Sequence, residues 1–308
     1  MGSLADRLRK NLKHLNKWAK REGVTCFRAY DHDIPEFPLT VEIYEGQAVA
    51  YVSFRSDDEW PLIRAEFIQQ LTEEMTPQLG EIIFKDRGVR PGGTRAPGAV
   101  SDRLDLTQTR TVSEGGLDFE VNLRSHNDSG LFLDHRKTRQ MVRDMSRDKQ
   151  VLNLFCYTGS FSVYAAAGGA RSVTSIDLSK TYLDWTARNF LLNDMEPDDY
   201  KLVQGDILQW LPVAEKDGKR YDIIICDPPT FSNSKRMVET LDTKRAHADL
   251  LRSCVALLRP GGQLIFSTNA SNFKLDPALV GFVEISDKTR CEDYRRGGGH
   301  RCWVYRDA

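Results

Sequence analysis

From Val151 onward the chain alternates short apolar runs with helix-like stretches, and this alternation constrains the fold more than any other feature. Val151–Phe155, Ser172–Asp177, Lys201–Gln204, Tyr221–Cys226 and Gln263–Ser267 read as strands. Phe161–Ala167, Ser179–Asn193 and a segment from about Glu239 to Leu258 read as helices between them. Strands joined by helices form a parallel sheet covered on both faces. Two closing runs, Phe282–Ile285 and Cys302–Tyr305, add an antiparallel pair at one edge. The expected architecture is α/β, a mostly parallel seven-stranded sheet within residues 111–308. A small α+β domain is expected over residues 1–110. It holds a basic helix, a hairpin of Val41–Tyr44 with Ala48–Phe54, a helix Pro61–Met75 and a strand Glu81–Lys85. A second hairpin, Thr109–Ser113 with Leu117–Leu123, leads into the sheet.

Composition narrows the function classes. Of 308 residues, 40% are hydrophobic and 28% charged, a folded rather than a disordered profile. Apolar runs stop at four or five residues, far short of the roughly 20 that a membrane span needs. The segment Met1–Arg7 lacks the apolar core of a signal peptide, so a cytoplasmic protein without membrane contact is expected. Cys26, Cys156, Cys226, Cys254, Cys291 and Cys302 form no C-x-x-C pair, and the six histidines lack H-x-x-x-H spacing. Reduced thiols and no metal follow. The net charge of −1 does not advertise a polyanionic partner; its distribution says more. Arg7, Arg9, Lys10, Lys13, Lys17, Lys20 and Arg21 lie opposite a helical stripe of Leu4, Leu8, Leu12, Leu15 and Ala19, with Trp18 beside it. Such a face is either solvated or contacts phosphates.

Ligands of a doubly wound sheet sit beyond the carboxyl ends of its strands. The first strand opens into Asn153-Leu154-Phe155-Cys156-Tyr157-Thr158-Gly159-Ser160. One glycine stands where a dinucleotide fingerprint needs three, so a ligand without a pyrophosphate fits better. Asp177 ends the second strand and suits a ribose; Asp206 follows the third and suits an adenine amino group. Each acid alone is as readily a helix cap. Together, behind a glycine turn, they describe an adenosine pocket. The fourth strand ends in Asp227-Pro228-Pro229-Thr230-Phe231. Two prolines freeze the turn, and the aromatic beside rigid acceptors suits a planar base taken out of its stack.

The N-L-F-x-Y-T-G and D-P-P-x-F segments, with the acid ending the second strand, resemble class I S-adenosylmethionine-dependent methyltransferases acting on nucleic-acid bases. Ser129–Arg136, Asn153–Ser160, Asp227–Met237 and the opening Arg7–Trp18 resemble more closely the guanine-N7 half of the bacterial bifunctional large-subunit ribosomal-RNA methyltransferases. The resemblance implies a Rossmann-like fold and direct transfer of a methyl group to N7 of a guanine in 23S rRNA. Asp227, Pro228, Pro229 and Phe231 would orient and stack the base. Asn153, Phe155, Cys156, Tyr157, Thr158 and Gly159 would wrap the methionine part of the cofactor, Asp177, Leu178 and Ser179 its ribose, and Asp206 and Ile207 its adenine. Phe132, Asp134 and Arg136 would close over the cofactor. Arg7, Arg9, Lys10, Lys13, Lys17, Lys235 and Arg236 would contact RNA. Independently of the resemblance, the Gly/Pro-rich stretch 86–109 is expected to order on RNA. The implied partners are 23S rRNA or a large-subunit assembly intermediate, and an upstream half with a THUMP domain and an N2-guanine methyltransferase.

Rival readings leave different traces. Formation of 5-methylcytosine needs a cysteine nucleophile, and the fifth strand runs into Phe266-Ser267-Thr268-Asn269 without one. Cys226, one residue before Asp227, should point into the sheet. Methylation of an exocyclic amine, N2 of guanine or N6 of adenine, is the runner-up, since D-P-P with an aromatic serves it too. A non-catalytic RNA-binding or ribosome-assembly factor would bind RNA without releasing a homocysteine product. A dehydrogenase would need the missing glycines.

Overall fold

The computed structural model describes residues 3–53, 60–87, 106–124, 129–232, 241–296 and 299–306. Its contacts divide the chain into two units, Met1–Leu133 with Glu292–Gly298, and Asp134–Cys291 with Gly299–Ala308.

The first unit opens with helix α1 (Leu4–Glu22), capped by the Ser3 hydroxyl, which accepts the Asp6 amide, and ended by Gly23 at φ +62°. Leu4, Leu8, Leu12, Leu15, Trp18 and Ala19 are buried, the stripe expected from the sequence. Strands β1 (Cys26–Asp31), β2 (Leu39–Tyr44) and β3 (Gln47–Ser53) follow. Glu45 and Gly46 join β2 to β3 with positive φ at both positions, as a tight hairpin turn of this hand requires. Helix α2 (Trp60–Leu79) crosses to β4 (Ile82–Arg87), which pairs parallel with β3. The hairpin β5 (Thr109–Glu114) and β6 (Leu117–Asn122) also belongs to this unit, although the expected boundary at 110 precedes it. The reason is local. The Ser113 amide donates to the Thr25 hydroxyl at 2.8 Å, and the Thr25 amide donates to the Ser113 carbonyl at 2.9 Å.

Strand β1 escapes a sequence reading because it buries charge. Arg28 pairs with Asp31 at 3.0 Å and Glu42 at 2.9 Å, and its guanidinium lies 3.8 Å from the Tyr294 ring centroid. A buried charge persists when paired this completely. Asp293 accepts the Arg28 amide and Arg295 pairs with Asp33, which draws residues 292–296 into this unit.

The second unit begins with α3 (Arg136–Met145) and contains β7 (Gln150–Leu154), α4 (Ser160–Ala167), β8 (Ser172–Asp177), α5 (Lys180–Leu191), β9 (Lys201–Gln204), α6 (Ile207–Lys216) and β10 (Tyr221–Cys226). A short pair, β11 (Phe231–Ser232) and β12 (Leu241–Asp242), precedes α7 (Thr243–Ala256), β13 (Leu258–Thr268), β14 (Phe282–Glu284), α8 (Ser286–Thr289) and β15 (Arg301–Arg306). The sheet order is β14-β15-β13-β10-β7-β8-β9. The five strands from β13 to β9 are parallel, and β15 runs antiparallel to both β13 and β14. This is the expected seven-stranded sheet with its antiparallel edge.

Alternation along the strands builds two cores. Ile224 and Cys226 pack with Leu152, Leu154, Leu251 and Phe266 on one face. Ile223 and Ile225 pack with Val151, Val173, Phe161 and Val304 on the other. The chain runs from β7 outward to β8 and β9, then returns across β7 to β10. The order therefore switches between β7 and β10, where a doubly wound sheet opens its crevice. No described helix is long and apolar enough to cross a membrane.

Candidate active site

Four strand ends border the crevice of the second unit. After β7 the backbone turns through Phe155 and Tyr157, at φ +55° and +50°, to Gly159 at +75°. Neighbouring elements fix this loop. The Cys156 amide donates to the Ile176 carbonyl, the Tyr157 amide to Asp177 Oδ2, and Asn189 Nδ2 to the Thr158 carbonyl. The Tyr157 ring meets Tyr182 edge-on at 4.6 Å. The side chains of Asn153, Cys156 and Thr158 are buried. Asn153 donates to the Ser162 hydroxyl, itself bonded to Ser175, and all three are buried in packing. Gly159 is needed chiefly for packing, because an added Cβ would sit 2.2 Å from Thr186 Cγ2.

Asp177 ends β8 with both carboxylate oxygens already accepting backbone amides, Oδ1 from Ser179 and Oδ2 from Tyr157, each at 2.9 Å. Each oxygen keeps a second lone pair. Burial pushes its pKa up to about 6, against the lowering pull of those amides. Asp206 caps α6, its Oδ1 accepting the Leu208 amide, while Ile207 is buried behind it. Cap and ligand roles are compatible here, since a carboxylate has four acceptor positions.

Asp227 follows β10 at the switch point. Its Oδ1 accepts the Ser267 hydroxyl at 2.6 Å, and its Oδ2 lies 3.4 Å from His135 Nε2. The side chain keeps 26% exposure. Helix α7 fixes the turn that follows: the Thr243 hydroxyl donates to the Pro229 carbonyl at 2.7 Å, and its amide to the Thr230 carbonyl at 3.2 Å. Phe231 stands 58% exposed beside them. Ser267, His135 and Thr243 were absent from the expected site. Their elements meet Asp227 and its turn only in three dimensions, although Ser267 at the neighbouring strand end was within reach of topological reasoning. Cys226 is fully buried beside Cys254, and burial holds its thiol well above the ordinary value, so it is no nucleophile.

Asp134 and Arg136 are buried, and Asp134 Oδ2 accepts the His300 amide at 2.9 Å. Phe132, in the first unit, is 37% exposed. Asp134, His135 and His300 bring potential metal ligands within 4.8 Å of one another, but the two imidazoles stack at 3.8 Å and 15°. Parallel rings cannot both aim in-plane lone pairs at one ion about 2 Å away. On α1, Arg7 faces Asp33 and Arg9 faces Asp6 and Glu74, which tempers their expected role. Lys10, Lys13 and Lys17 are exposed, with no ion pair among the described residues. Lys235 and Arg236 lie outside the described residues, as does most of the stretch 86–109.

Residues 97–284 match the family of S-adenosylmethionine-dependent methyltransferases. The chain belongs to this family. It is 42% identical over 314 residues to "Ribosomal RNA large subunit methyltransferase K" of Neisseria meningitidis serogroup B, covering 98% of this chain and 86% of that protein. It is 43% identical over 310 residues to "Ribosomal RNA large subunit methyltransferase K/L" of Shewanella amazonensis, covering 97% of this chain but only 43% of that protein. The chain thus spans less than half the length of its K/L relatives. The crystal structure of SMU.776 complexed with SAH shares the fold, with a TM-score of 0.77 and 24% identity over 98% of this chain and 80% of that one. This methyltransferase therefore uses S-adenosylmethionine, and the residues present fit it: a half-buried carboxylate ends β8, a second follows β9, and the turn after β7 carries the single glycine Gly159.

The Asp177 shift has a measurable consequence. In the ribose-binding role expected of Asp177 from the sequence, the hydroxyls would donate, and the carboxylate would have to be ionised. S-Adenosylhomocysteine affinity should be flat above about pH 7 and fall up to about tenfold per unit below the Asp177 pKa of about 6. Asp177→Asn should flatten the profile at weak affinity. Calorimetric titration across this range checks it, and an unchanged wild-type affinity down to roughly pH 5 would refute it.

Proposed function

We propose that the chain transfers a methyl group from S-adenosylmethionine to N7 of a guanine in 23S ribosomal RNA by direct in-line displacement. The observation that carries this reading is the anchored Asp227 carboxylate at the switch point, with exposed Phe231 beside it. The cofactor supplies a methyl group on a sulfonium, electrophilic enough that placement matters more than acid–base help. Guanine N7 has a free lone pair, so no base is required. Methylation leaves the purine cationic, and a preorganised carboxylate stabilises that charge as it develops. Phe231 would stack on the base and the rigid Pro228-Pro229 turn would set its plane. Phe155–Gly159 would hold the methionine part, Asp177 the ribose, and Asp206 with Ile207 the adenine.

The names of the K and K/L relatives support large-subunit rRNA as the substrate. The exposed lysines of α1 would contact its phosphates. An upstream THUMP-containing half would be the partner where the chain is part of a bifunctional protein, and the work would be cytoplasmic. A second reading, transfer to an exocyclic amine, is favoured by one feature: Asp227 and the Pro228 carbonyl are both acceptors, which an amino group can donate to.

The test is incubation with methyl-labelled S-adenosylmethionine and unmodified large-subunit rRNA, then digestion to nucleosides. Label in 7-methylguanosine supports the N7 reading. Label in N2-methylguanosine or N6-methyladenosine selects the amine reading. A Lys10→Glu/Lys13→Glu/Lys17→Glu variant should weaken RNA binding at low salt and lessen its salt slope by about three. An unchanged slope removes α1 from the RNA surface.

A further inference from the structure

We infer that His135 is a positioning residue for methyl transfer, its Nε2–H holding Oδ2 of Asp227 so that the carboxylate stays aimed at the base. The inference rests on the reading of Asp227 as the group that faces the base.

The geometry is specific. His135 occupies the N-cap of α3 but makes no side-chain cap bond, so its imidazole is not spent on the helix. The residue is 2% exposed. One ring face stacks on His300 with centroids 3.8 Å apart, and the Phe161 ring meets it edge-on at 5.4 Å. His300 is itself held, its amide donating to Asp134 Oδ2 and its Nε2 lying 3.0 Å from the Thr138 hydroxyl. These contacts set the plane of the imidazole, and Nε2 in that plane is 3.4 Å from Asp227 Oδ2.

The tautomer follows from the surroundings. His135 Nδ1 is buried without a partner among the described residues. A proton on Nδ1 would bury an unpaired donor and turn the bare lone pair of Nε2 toward a carboxylate. A proton on Nε2 aims the donor at the carboxylate and leaves a bare acceptor, rather than an unpaired N–H, in the buried position. The ring is neutral, because burial and then the neighbouring His300 push its pKa down to about 4. A neutral donor is what the site needs. It orients the carboxylate without cancelling the charge that stabilises a cationic product. Ser267 donates to Oδ1 from β13, and His135 Nε2 stands 3.4 Å from Oδ2 at the start of α3, so the two groups approach the carboxylate from separate elements.

The test pairs two variants of similar size and shape. Gln places an amide N–H close to the position of His Nε2, whereas Met cannot donate. His135→Met should lower kcat about 10- to 100-fold, while His135→Gln should recover to within about threefold of wild type. S-Adenosylhomocysteine Kd should stay within about twofold in both, since the lost interaction acts in the transition state rather than in cofactor binding. Equal losses in the two variants, or a loss that lies wholly in cofactor affinity, would overturn the assignment. A second readout does not depend on the substrate. Two-bond 1H–15N correlation spectra of 15N-histidine protein, with His135→Gln identifying the signal, should show neutral His135 carrying its proton on Nε2. A proton on Nδ1 would overturn the inference. If wild type labels no rRNA, the proposed substrate fails, and the tautomer still decides whether His135 presents a donor to Asp227.

Discussion

Asp227→Ala is expected to cut methyl transfer by about 100- to 1,000-fold while leaving S-adenosylhomocysteine affinity within about threefold. The expectation follows from where the side chain sits. Asp227 leaves the central strand β10, its Oδ1 is anchored by Ser267 at 2.6 Å, and the side chain remains 26% exposed toward the crevice. The adenosine-binding groups proposed here, Asp177 and Asp206, end other strands and do not depend on it. Asp227→Asn separates the two chemical readings. An amide oxygen still accepts a hydrogen bond from an exocyclic amine, so that reaction would lose far less with Asn than with Ala. Transfer to N7 makes a cation and depends on the negative charge itself, so Asn would fall nearly as far as Ala. Single-turnover rates at saturating cofactor, with nucleoside identification, measure this directly. An Asp227→Ala enzyme within about threefold of wild type would remove Asp227 from the chemistry.

The parts of the fold legible in the sequence are those where apolar periodicity matches burial. The alternation of Ile223 and Ile225 with Ile224 and Cys226 divides them between two cores, and the seven strands could be read from such patterns. Elements with buried charge were hidden. Strand β1 buries Arg28 against Asp31 and Glu42, and α3 buries Arg136 and Arg139, so both look solvated to a periodicity argument. Helix α6 was obscured by Pro212 in its interior. The long helix expected from Glu239 begins only at Thr243, where Asp242 caps it. At the site, the acids at strand ends were legible because topology alone puts them in the crevice. The groups that orient them were not. Ser267 reaches Asp227 across 40 positions, and His135 arrives from a helix whose existence the sequence concealed. The return of residues 292–296 to the first unit rests on bonds such as Asp293 to Arg28, 265 positions apart, which no local pattern announces.

Gly159 carries the second large effect, for a reason that the sequence does not announce. A glycine in a strand-to-helix turn suggests close approach of a ligand, yet the atoms nearest an added Cβ belong to Thr186 of α5, at 2.2, 2.8 and 2.9 Å. Thr186 has little room to yield. It is fully buried, and its hydroxyl, with one proton to share, lies 3.1 Å from the Tyr157 carbonyl and 2.9 Å from the Tyr182 carbonyl. The backbone at φ +75° adds a cost of about 1–2 kcal/mol for any side chain. Overpacking adds about 1–3 kcal/mol more. Gly159→Ala should therefore destabilise the second unit by about 2–5 kcal/mol. Because the Tyr157 amide donates to Asp177, displacing the loop should weaken S-adenosylhomocysteine binding as well. Adding Thr186→Ala removes the atoms behind the 2.2 and 2.8 Å contacts but leaves Cβ at 2.9 Å and the strained φ, so recovery should be partial. Urea unfolding of the single and double variants, with cofactor titration of each, measures both effects. A Gly159→Ala protein as stable as wild type would mean that α5 can withdraw from the loop. The glycine would then matter for the ligand after all.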